Sequence, residues 1–169
     1  MTSPKIHINI KWHRPPKGWF KLNIDASFNK SLQNCGLGGV IRNANGHWIV
    51  GFANSAHARG SLHAKIKPLL AGLKTAHTWG MFPLQIETDL MEVILSIQKG
   101  NNFYAKLVNK YRLLMHQQKE VIIQHELRQG NKVAHQMEKK ANVDLRKEKV
   151  FVEPPDDVKN LVESDLLEQ

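Results

Sequence analysis

The hydrophobic residues of this chain change their spacing once, and that change limits the fold more than any other feature. Up to about residue 55 they alternate with polar residues, and from about residue 61 they recur every three or four positions. A period of two indicates β-strands, whereas a period near 3.6 indicates helices. The chain therefore begins with strands and continues into helical segments, which excludes an all-α and an all-β domain.

The first predicted strand covers residues 19–27, with the sequence WFKLNIDAS. Its two faces alternate: Phe20, Leu22 and Ile24 are apolar, and Lys21, Asn23 and Asp25 are polar. Asp25 lies near the predicted end of this strand, where an aspartate usually only begins a turn. Our interpretation is that Asp25 instead marks the floor of an active site, on which other parts of the chain converge.

The remaining pattern predicts an α/β fold with the order β-β-β-α-β-α-α-β-α. Strands over residues 35–44 and 47–55 flank Asn45-Gly46, which predicts a two-residue type I′ hairpin turn. The glycines of the second strand indicate close backbone approach or a bulge. Later elements are a helix over 61–80, a strand over 83–88, short helices over 90–97 and 107–115, a strand over 120–127 and a basic helix over 131–147.

This order predicts a five-stranded mixed sheet, in which an antiparallel meander is followed by βα units, with helices on both faces. Ser61 is the predicted cap of the first helix, and Pro68 predicts a kink or a late start. Ligands of such sheets bind at the carboxyl ends of strands. Asp25 and Asp89 are both expected at such ends.

The 169 residues predict a single domain. We expect an extended lead-in over 1–18, a domain over 19–149 and an acidic C-terminal arm over 150–169 that packs on the same domain. The arm carries six carboxylates and one lysine, a net charge of −5, which leaves +14 for the rest of a chain whose total is +9. A basic body of this kind favours polyanions, most simply nucleic acid.

Several classes of protein are disfavoured by composition. No apolar run approaches the roughly 18 residues of a membrane span, and the N-terminus has no apolar core of a secretory signal. The single cysteine excludes an internal disulfide, and no Cys/His spacing typical of zinc is present. We expect a monomeric intracellular protein without a membrane partner, with nucleus and cytoplasm left open.

Four stretches together resemble the plant ribonuclease H-like domain, whose type 1 ribonuclease H relatives occur alone or attached to retroelement reverse transcriptases. The stretches are WHRPPKGWFKLNIDAS, CGLGGVIRNANGHWIVGF, SLHAKIKPLLAGLKTA with the following IETD, and RQGNKVAHQMEKKA. The terminal VFVEPPDDVKNLVESD also resembles the C-terminal end of that family. The resemblance covers residues 12–165 and implies the ribonuclease H fold.

The resemblance also implies a chemistry, the cleavage of the RNA strand of RNA–DNA hybrids with two divalent metals, Mg²⁺ or Mn²⁺, held by four carboxylates. Asp25 matches the first carboxylate of the family and Asp89 the third, so these two are the expected catalytic and metal-binding residues. The second position is Lys65 here, and the fourth is His135. The family pattern is therefore met at two of four positions.

The two substitutions make the site three charges more positive, or four if His135 is protonated. An ammonium about 4 Å from a divalent cation costs on the order of 8 kcal/mol at an effective dielectric of about 20. We therefore expect that the standard two-Mg²⁺ site does not form. The hypothesis is that Lys65 takes the place of a metal and pairs with Asp25 and Asp89.

Other interpretations of these residues stay open. Lys65 could point to solvent, or His135 could bind a softer metal with Asp25 and Asp89. We expect Glu138 and Glu87 to be solvated. His125, at a strand end, is a candidate for assisting product departure or for packing.

A basic surface is predicted around the last helix, and the resemblance implies that it follows a hybrid or duplex by shape and phosphates. The predicted nucleic-acid-binding residues are Arg128, Asn131, Lys132, Lys139 and Lys21. The leading function is a nucleic-acid-binding ribonuclease H-like protein whose hybrid endonuclease activity is reduced or lost. The alternatives are an active hydrolase that uses Asp25, Asp89 and His135 with another metal, and a non-catalytic protein-interaction scaffold.

Overall fold

The described residues form a six-stranded mixed sheet with helices on both faces. The computed structural model describes residues 11–99, 105–117, 120–141 and 148–169. The elements in chain order are β1 Phe20–Asn29, β2 Asn34–Arg42, β3 Trp48–His57, α1 Ser61–Trp79, β4 Leu84–Thr88, α2 Met91–Lys99, α3 Ala105–Gln117, β5 Val121–His125, a 3₁₀ turn Arg128–Gly130, α4 Lys132–Glu138, β6 Lys149–Phe151 and α5 Asp156–Leu167. Within these described ranges, no helix is both long and apolar enough to span a bilayer.

The strand order in the sheet is β5-β4-β1-β2-β3-β6, which makes β1 a central strand. β1, β2 and β3 form the predicted antiparallel meander, and β4 and β5 add to it in parallel. β6 pairs with β3 and is the sixth strand, one more than the sequence predicts. Its three residues are too few to show the alternation of a strand, so the hydrophobic pattern did not predict a strand there.

The two faces of the sheet have different chemistry. α1, α2 and α3 cover one face with the larger apolar core, to which β1 contributes Leu22 and Ile24. α4 and α5 lie on the other face, where Val40, Met137 and Val158 belong to a smaller cluster. The polar residues of β1 therefore point toward α4 and α5. This face, rather than open solvent, receives Asp25.

Several predicted boundaries move. β1 continues to Asn29, so Asp25 lies inside the strand and not near its end. α1 begins at Ser61 and runs through Pro68, so the predicted late start is wrong. The N-cap residue is Gly60 and not the predicted Ser61, and no side-chain hydrogen bond caps the helix. α4 ends at Glu138, far short of residue 147, because Lys139 and Lys140 form a turn; residues 142–147 lie outside the described ranges.

The hairpin between β2 and β3 also differs from its prediction. The amide of Gly46 donates to the carbonyl of Asn43 at 2.9 Å, and the amide of Asn43 donates to the carbonyl of His47 at 3.1 Å. Gly46 has a positive φ of 81°, whereas Asn45 does not have a positive φ. The loop is therefore a three-residue turn closed by a glycine bulge, and the predicted two-residue type I′ turn is wrong.

Candidate metal and nucleic-acid site

Asp25 is held on the face of β1 that α4 covers. Its side chain is 11% exposed, and it lies opposite Gly38 of β2, which has no side chain to keep α4 away. His135 of α4 reaches it from above, with 2.8 Å between Nδ1 and Oδ2 of Asp25. Because a carboxylate oxygen accepts, the imidazole donates through Nδ1, and Nε2 is left for other partners.

Asp89 follows β4, the parallel neighbour of β1. The last paired residues of these strands are Asn23 and Glu87, so two further steps along both strands bring Asp25 and Asp89 side by side. Burial, and then the negative charge of Asp25, raises the pKa of Asp89. Its Oδ1 is buried and has no hydrogen-bond partner among the described residues. The two carboxylates thus lie close enough to repel each other.

Lys65 does not join this pair. Its ammonium lies 3.9 Å from Oε1 of Glu92 on α2, and its side chain is 26% exposed. The hypothesis that Lys65 pairs with Asp25 and Asp89 is therefore not what the structure shows. Glu92 was not considered from the sequence, because its pairing with Lys65 depends on how α1 packs beside α2.

Glu138 is buried, and the expectation that it is solvated is wrong. Its side chain is 8% exposed, and the hydroxyl of Ser27 on β1 donates to its Oε1. Donor atoms of Asp25, His135 and Glu138 all lie within 4.8 Å of one another. Neither Ser27 nor Glu138 was predicted in the site. The usable signal was the spacing of His135 and Glu138, which puts both on one side of a helix.

Lys21 and Glu87 form a buried ion pair beside this cluster. The ammonium of Lys21 lies 2.6 Å from Oε1 of Glu87 and 2.5 Å from the carbonyl of His13, and both side chains are at most 2% exposed. Asn23 and Gln124 also donate to Glu87, at 3.1 and 2.8 Å. The prediction that Lys21 binds nucleic acid and the expectation that Glu87 is solvated are both wrong, because the two charges neutralise each other inside the protein.

The remaining predicted nucleic-acid residues divide by exposure. Arg128, Lys132 and Lys139 are exposed around the start and end of α4. Asn131 is 2% exposed, and its Nδ2 donates to the carbonyl of Ile24 at 2.9 Å. Asn131 therefore ties the start of α4 to β1 and is not part of the exposed surface, which contradicts its predicted role.

Two depressions flank the cluster. One of about 330 Å³ is lined by Arg128, Lys132 and His135. The other, of about 590 Å³, includes Ser27, Lys30, Glu138 and Lys139 in its wall. Each depression combines one member of the cluster with exposed ammonium or guanidinium groups.

His125 lies at the end of β5, and its Nε2 is 3.1 Å from the backbone carbonyl of Asp89. The ring is exposed. This contact places an imidazole beside the backbone of Asp89.

The comparisons with known proteins agree with this architecture. Residues 23–141 match the reverse transcriptase-like family. A putative ribonuclease H protein of Arabidopsis thaliana is 28% identical over 99 residues, which are 59% of this chain and only 16% of that protein. The match therefore spans a minor part of the length of that relative.

Solved structures show the same fold. RNase H1 from the halophilic archaeon Halobacterium salinarum NRC-1 superposes with a TM-score of 0.65 at 17% identity, over 71% of this chain and 94% of that one. LC11-RNase H1, solved in complex with an RNA/DNA hybrid, gives a TM-score of 0.64 at 13% identity, over 72% of this chain and 95% of that one. The resemblance seen in the sequence is thus confirmed at the level of family and fold.

Proposed function

This chain belongs to the reverse transcriptase-like family and has the ribonuclease H fold, and from that premise we propose that it binds RNA–DNA hybrids without the two-Mg²⁺ cleavage typical of type 1 ribonucleases H. The observation that carries the proposal is the donor set around Asp25. One of the solved relatives, LC11-RNase H1, is in complex with a hybrid, which supports the choice of ligand.

The donor set does not suit a pair of Mg²⁺ ions. Mg²⁺ prefers oxygen ligands in an octahedral arrangement, and two neighbouring ions need several carboxylates to offset their mutual repulsion. Asp25 and Asp89 are the two carboxylates expected from the family pattern. The other two family positions hold Lys65, whose charge opposes metal binding, and His135, whose Nδ1 already contacts Asp25.

Nucleic-acid binding is supported by the charge of the body and by the exposed cations at α4. Apart from the acidic arm, the chain carries +14. Arg128, Lys132 and Lys139 are exposed on the face that contains Asp25. Phosphate contacts by such residues supply affinity through counterion release and do not need a working catalytic centre.

Hybrid cleavage tests the catalytic half of the proposal. We expect the native chain to leave a labelled RNA–DNA hybrid intact in Mg²⁺ and in Mn²⁺. The double variant Lys65→Glu/His135→Asp restores the family pattern and should gain cleavage, whereas Lys74→Glu, a charge change at an exposed position of the same helix, should not. Cleavage by the native chain that is lost in Asp25→Asn, Asp89→Asn and His135→Ala would instead establish the alternative, an active hydrolase.

Equilibrium binding tests the other half. We expect affinity for a hybrid that falls steeply with salt, and the triple variant Arg128→Ala/Lys132→Ala/Lys139→Ala should weaken binding and flatten that dependence by about three units of slope. The matched control removes three exposed lysines of the opposite face, Lys74, Lys106 and Lys110. If the native chain does not bind hybrid even at low salt, the interaction-scaffold alternative replaces this proposal.

A further inference from the structure

We infer that Asp25, His135 and Glu138 form a site for a single borderline divalent metal, with Zn²⁺ as the best match, in place of a carboxylate-only Mg²⁺ centre. The inference rests on the proposed function in one respect only, the loss of the Mg²⁺ pair. It adds a ligand, Glu138, that lies at none of the four carboxylate positions of the family pattern.

The spacing of the donor atoms agrees with such a site. Zn–N distances are about 2.0–2.1 Å and Zn–O distances about 2.0–2.2 Å, so tetrahedral ligand atoms lie about 3.4 Å apart. The donor atoms of the three residues are all within 4.8 Å of one another. In the metal-free protein Nδ1 of His135 donates to Oδ2 of Asp25 at 2.8 Å, so a metal that binds through this nitrogen replaces its proton and opens this contact.

The donors are held in place by the fold. Asp25 lies inside the central strand, and His135 and Glu138 lie one turn apart on α4, whose backbone sits directly over Gly38. Ser27 hydrogen-bonds Glu138, and Asn131 ties the start of α4 to β1. Ligands fixed by packing and by outer hydrogen bonds lose little freedom when a metal binds.

The charges and donor types select the metal. Two carboxylates and a neutral imidazole offset a divalent charge, and an imidazole ligand favours Zn²⁺ over Mg²⁺. Among the described residues, Lys65 forms its ion pair with Glu92 on α2 and not with a member of this cluster. The buried Oδ1 of Asp89, which has no hydrogen-bond partner in the part of the chain that the structure describes, adds negative potential next to Asp25.

Three protein ligands leave a fourth position for water or for another oxygen ligand. Glu138 lines the depression of about 590 Å³ together with Lys30 and Lys139. A metal at this place would therefore present its open position beside a cationic wall, which suits a phosphate oxygen of a bound nucleic acid.

Metal titration of the chelator-treated protein tests the inference. We expect one Zn²⁺ per chain by calorimetry, competition of Co²⁺ for the same site with visible absorption bands of a four-coordinate ion, and binding of Mg²⁺ at least about 100-fold weaker. His135→Ala and Glu138→Gln should each weaken Zn²⁺ binding by at least about tenfold and abolish the Co²⁺ bands. His57→Ala, at an exposed histidine on β3, should change neither.

Circular dichroism shows whether each variant is folded, and His135→Gln replaces His135→Ala if the latter is not. The inference is overturned if the native chain binds no Zn²⁺, or if Zn²⁺ binds equally well to the His135 and Glu138 variants. Binding of two Mg²⁺ together with hybrid cleavage in Mg²⁺ would overturn the proposed function instead, whatever the result for Zn²⁺.

Discussion

Asp89 is a partly buried carboxylate that lies beside a second carboxylate, Asp25. It faces Asp25 across two parallel strands, and its Oδ1 is buried without a hydrogen-bond partner among the described residues. Burial and the charge of Asp25 raise its pKa, so the ionised form is less favourable in the folded state than in the unfolded chain. The ionised side chain therefore lowers the free energy of unfolding at neutral pH.

We predict that Asp89→Asn stabilises the protein at neutral pH in the presence of a chelator. When the folded pKa is raised, both states are protonated below the usual aspartate pKa of about 3.9, and stability is lost as the pH rises through the folded pKa. The gain from Asp89→Asn should thus be full at pH 7 and vanish toward pH 3. Urea unfolding as a function of pH measures it.

The exposed carboxylate Glu153 supplies the control, because Glu153→Gln changes the charge by the same amount without burial. It should shift the unfolding midpoint little at either pH. A destabilised Asp89→Asn at pH 7 would mean that the ionised carboxylate is compensated by a group that the present contacts do not include.

For single residues, sequence motifs identify candidate site residues, but they do not show which other groups surround each side chain in the fold. Asp25, Asp89 and His135 were found because family motifs surround them. Lys21 was misjudged because it lies on the polar face of the predicted strand, and a polar face suggests exposure to solvent. Only the fold shows that α4, α5 and the lead-in cover that face. Its partner Glu87 is 66 residues away, on an adjacent strand, and no period of the chain relates the two.

At the scale of elements, α4 packs tightly against the sheet because two glycines of β2 have no side chains. A Cβ at Gly38 would overlap the backbone of Met137 and Glu138, and one at Gly36 would meet the carboxylate of Glu138. The glycines of this strand predicted close backbone approach, and that prediction is confirmed. The partner of the approach was not predictable, since the seven residues of α4 show too little periodicity to fix which side faces the sheet.

We predict that Gly38→Ala destabilises the fold by about 1–3 kcal/mol, because a backbone cannot yield as a flexible side chain does. It should also displace His135 and Glu138 from Asp25 and so weaken any metal binding. Thermal unfolding and the Co²⁺ spectrum measure the two effects.

Gly72→Ala on α1 is the matched control. The three atoms nearest the added methyl all belong to the side chain of Leu22 and not to a backbone, and alanine favours the helix over glycine by about 1 kcal/mol. A smaller loss than that of Gly38→Ala, with an unchanged Co²⁺ spectrum, is expected. Equal losses in both variants would show that α4 tolerates a shift away from β2.

At the scale of the whole molecule, a buried ion pair joins the sheet to the C-terminal helix. Nη1 of Arg42 on β2 lies 2.7 Å from Oδ2 of Asp165 on α5, and the guanidinium lies 3.7 Å from the ring centre of Trp12 in the lead-in. Burial lowers the pKa of Arg42 and raises that of Asp165. Both charges lose hydration on burial, and the contacts of Arg42 hold Trp12 of the lead-in and Asp165 of α5 against the sheet.

We predict that Asp165→Ala lowers the free energy of unfolding by about 3–5 kcal/mol, because it leaves a buried guanidinium unpaired. The double variant Arg42→Met/Asp165→Leu should recover most of that loss, since no unpaired charge remains. Chemical denaturation measures both. Glu163→Ala, at an exposed position of the same helix, is the control, and a loss there as large as in Asp165→Ala would assign the effect to the helix and not to the ion pair.

The acidic arm also acts on the basic surface. Asp157 of α5 lies 2.5 Å from Nζ of Lys140, and Gln136 of α4 donates to it at 2.9 Å. The hydrogen bond from Lys140, followed by that from Gln136, lowers the pKa of Asp157, so it remains ionised near neutral pH. Lys140, a cation beside the proposed nucleic-acid surface, is thus paired with a carboxylate of the same chain.

We predict that Asp157→Asn strengthens hybrid binding at low salt and steepens its salt dependence by up to about one unit of slope, because a freed Lys140 can contact one more phosphate. Asp156→Asn is the matched control: it removes the same charge from the neighbouring residue, whose ion pair is with Lys159 on α5 and not with α4. Fluorescence anisotropy from low to moderate salt measures both slopes. If the two variants steepen the slope equally, the acidic arm acts through net charge, and if neither does, Lys140 lies outside the path of the nucleic acid.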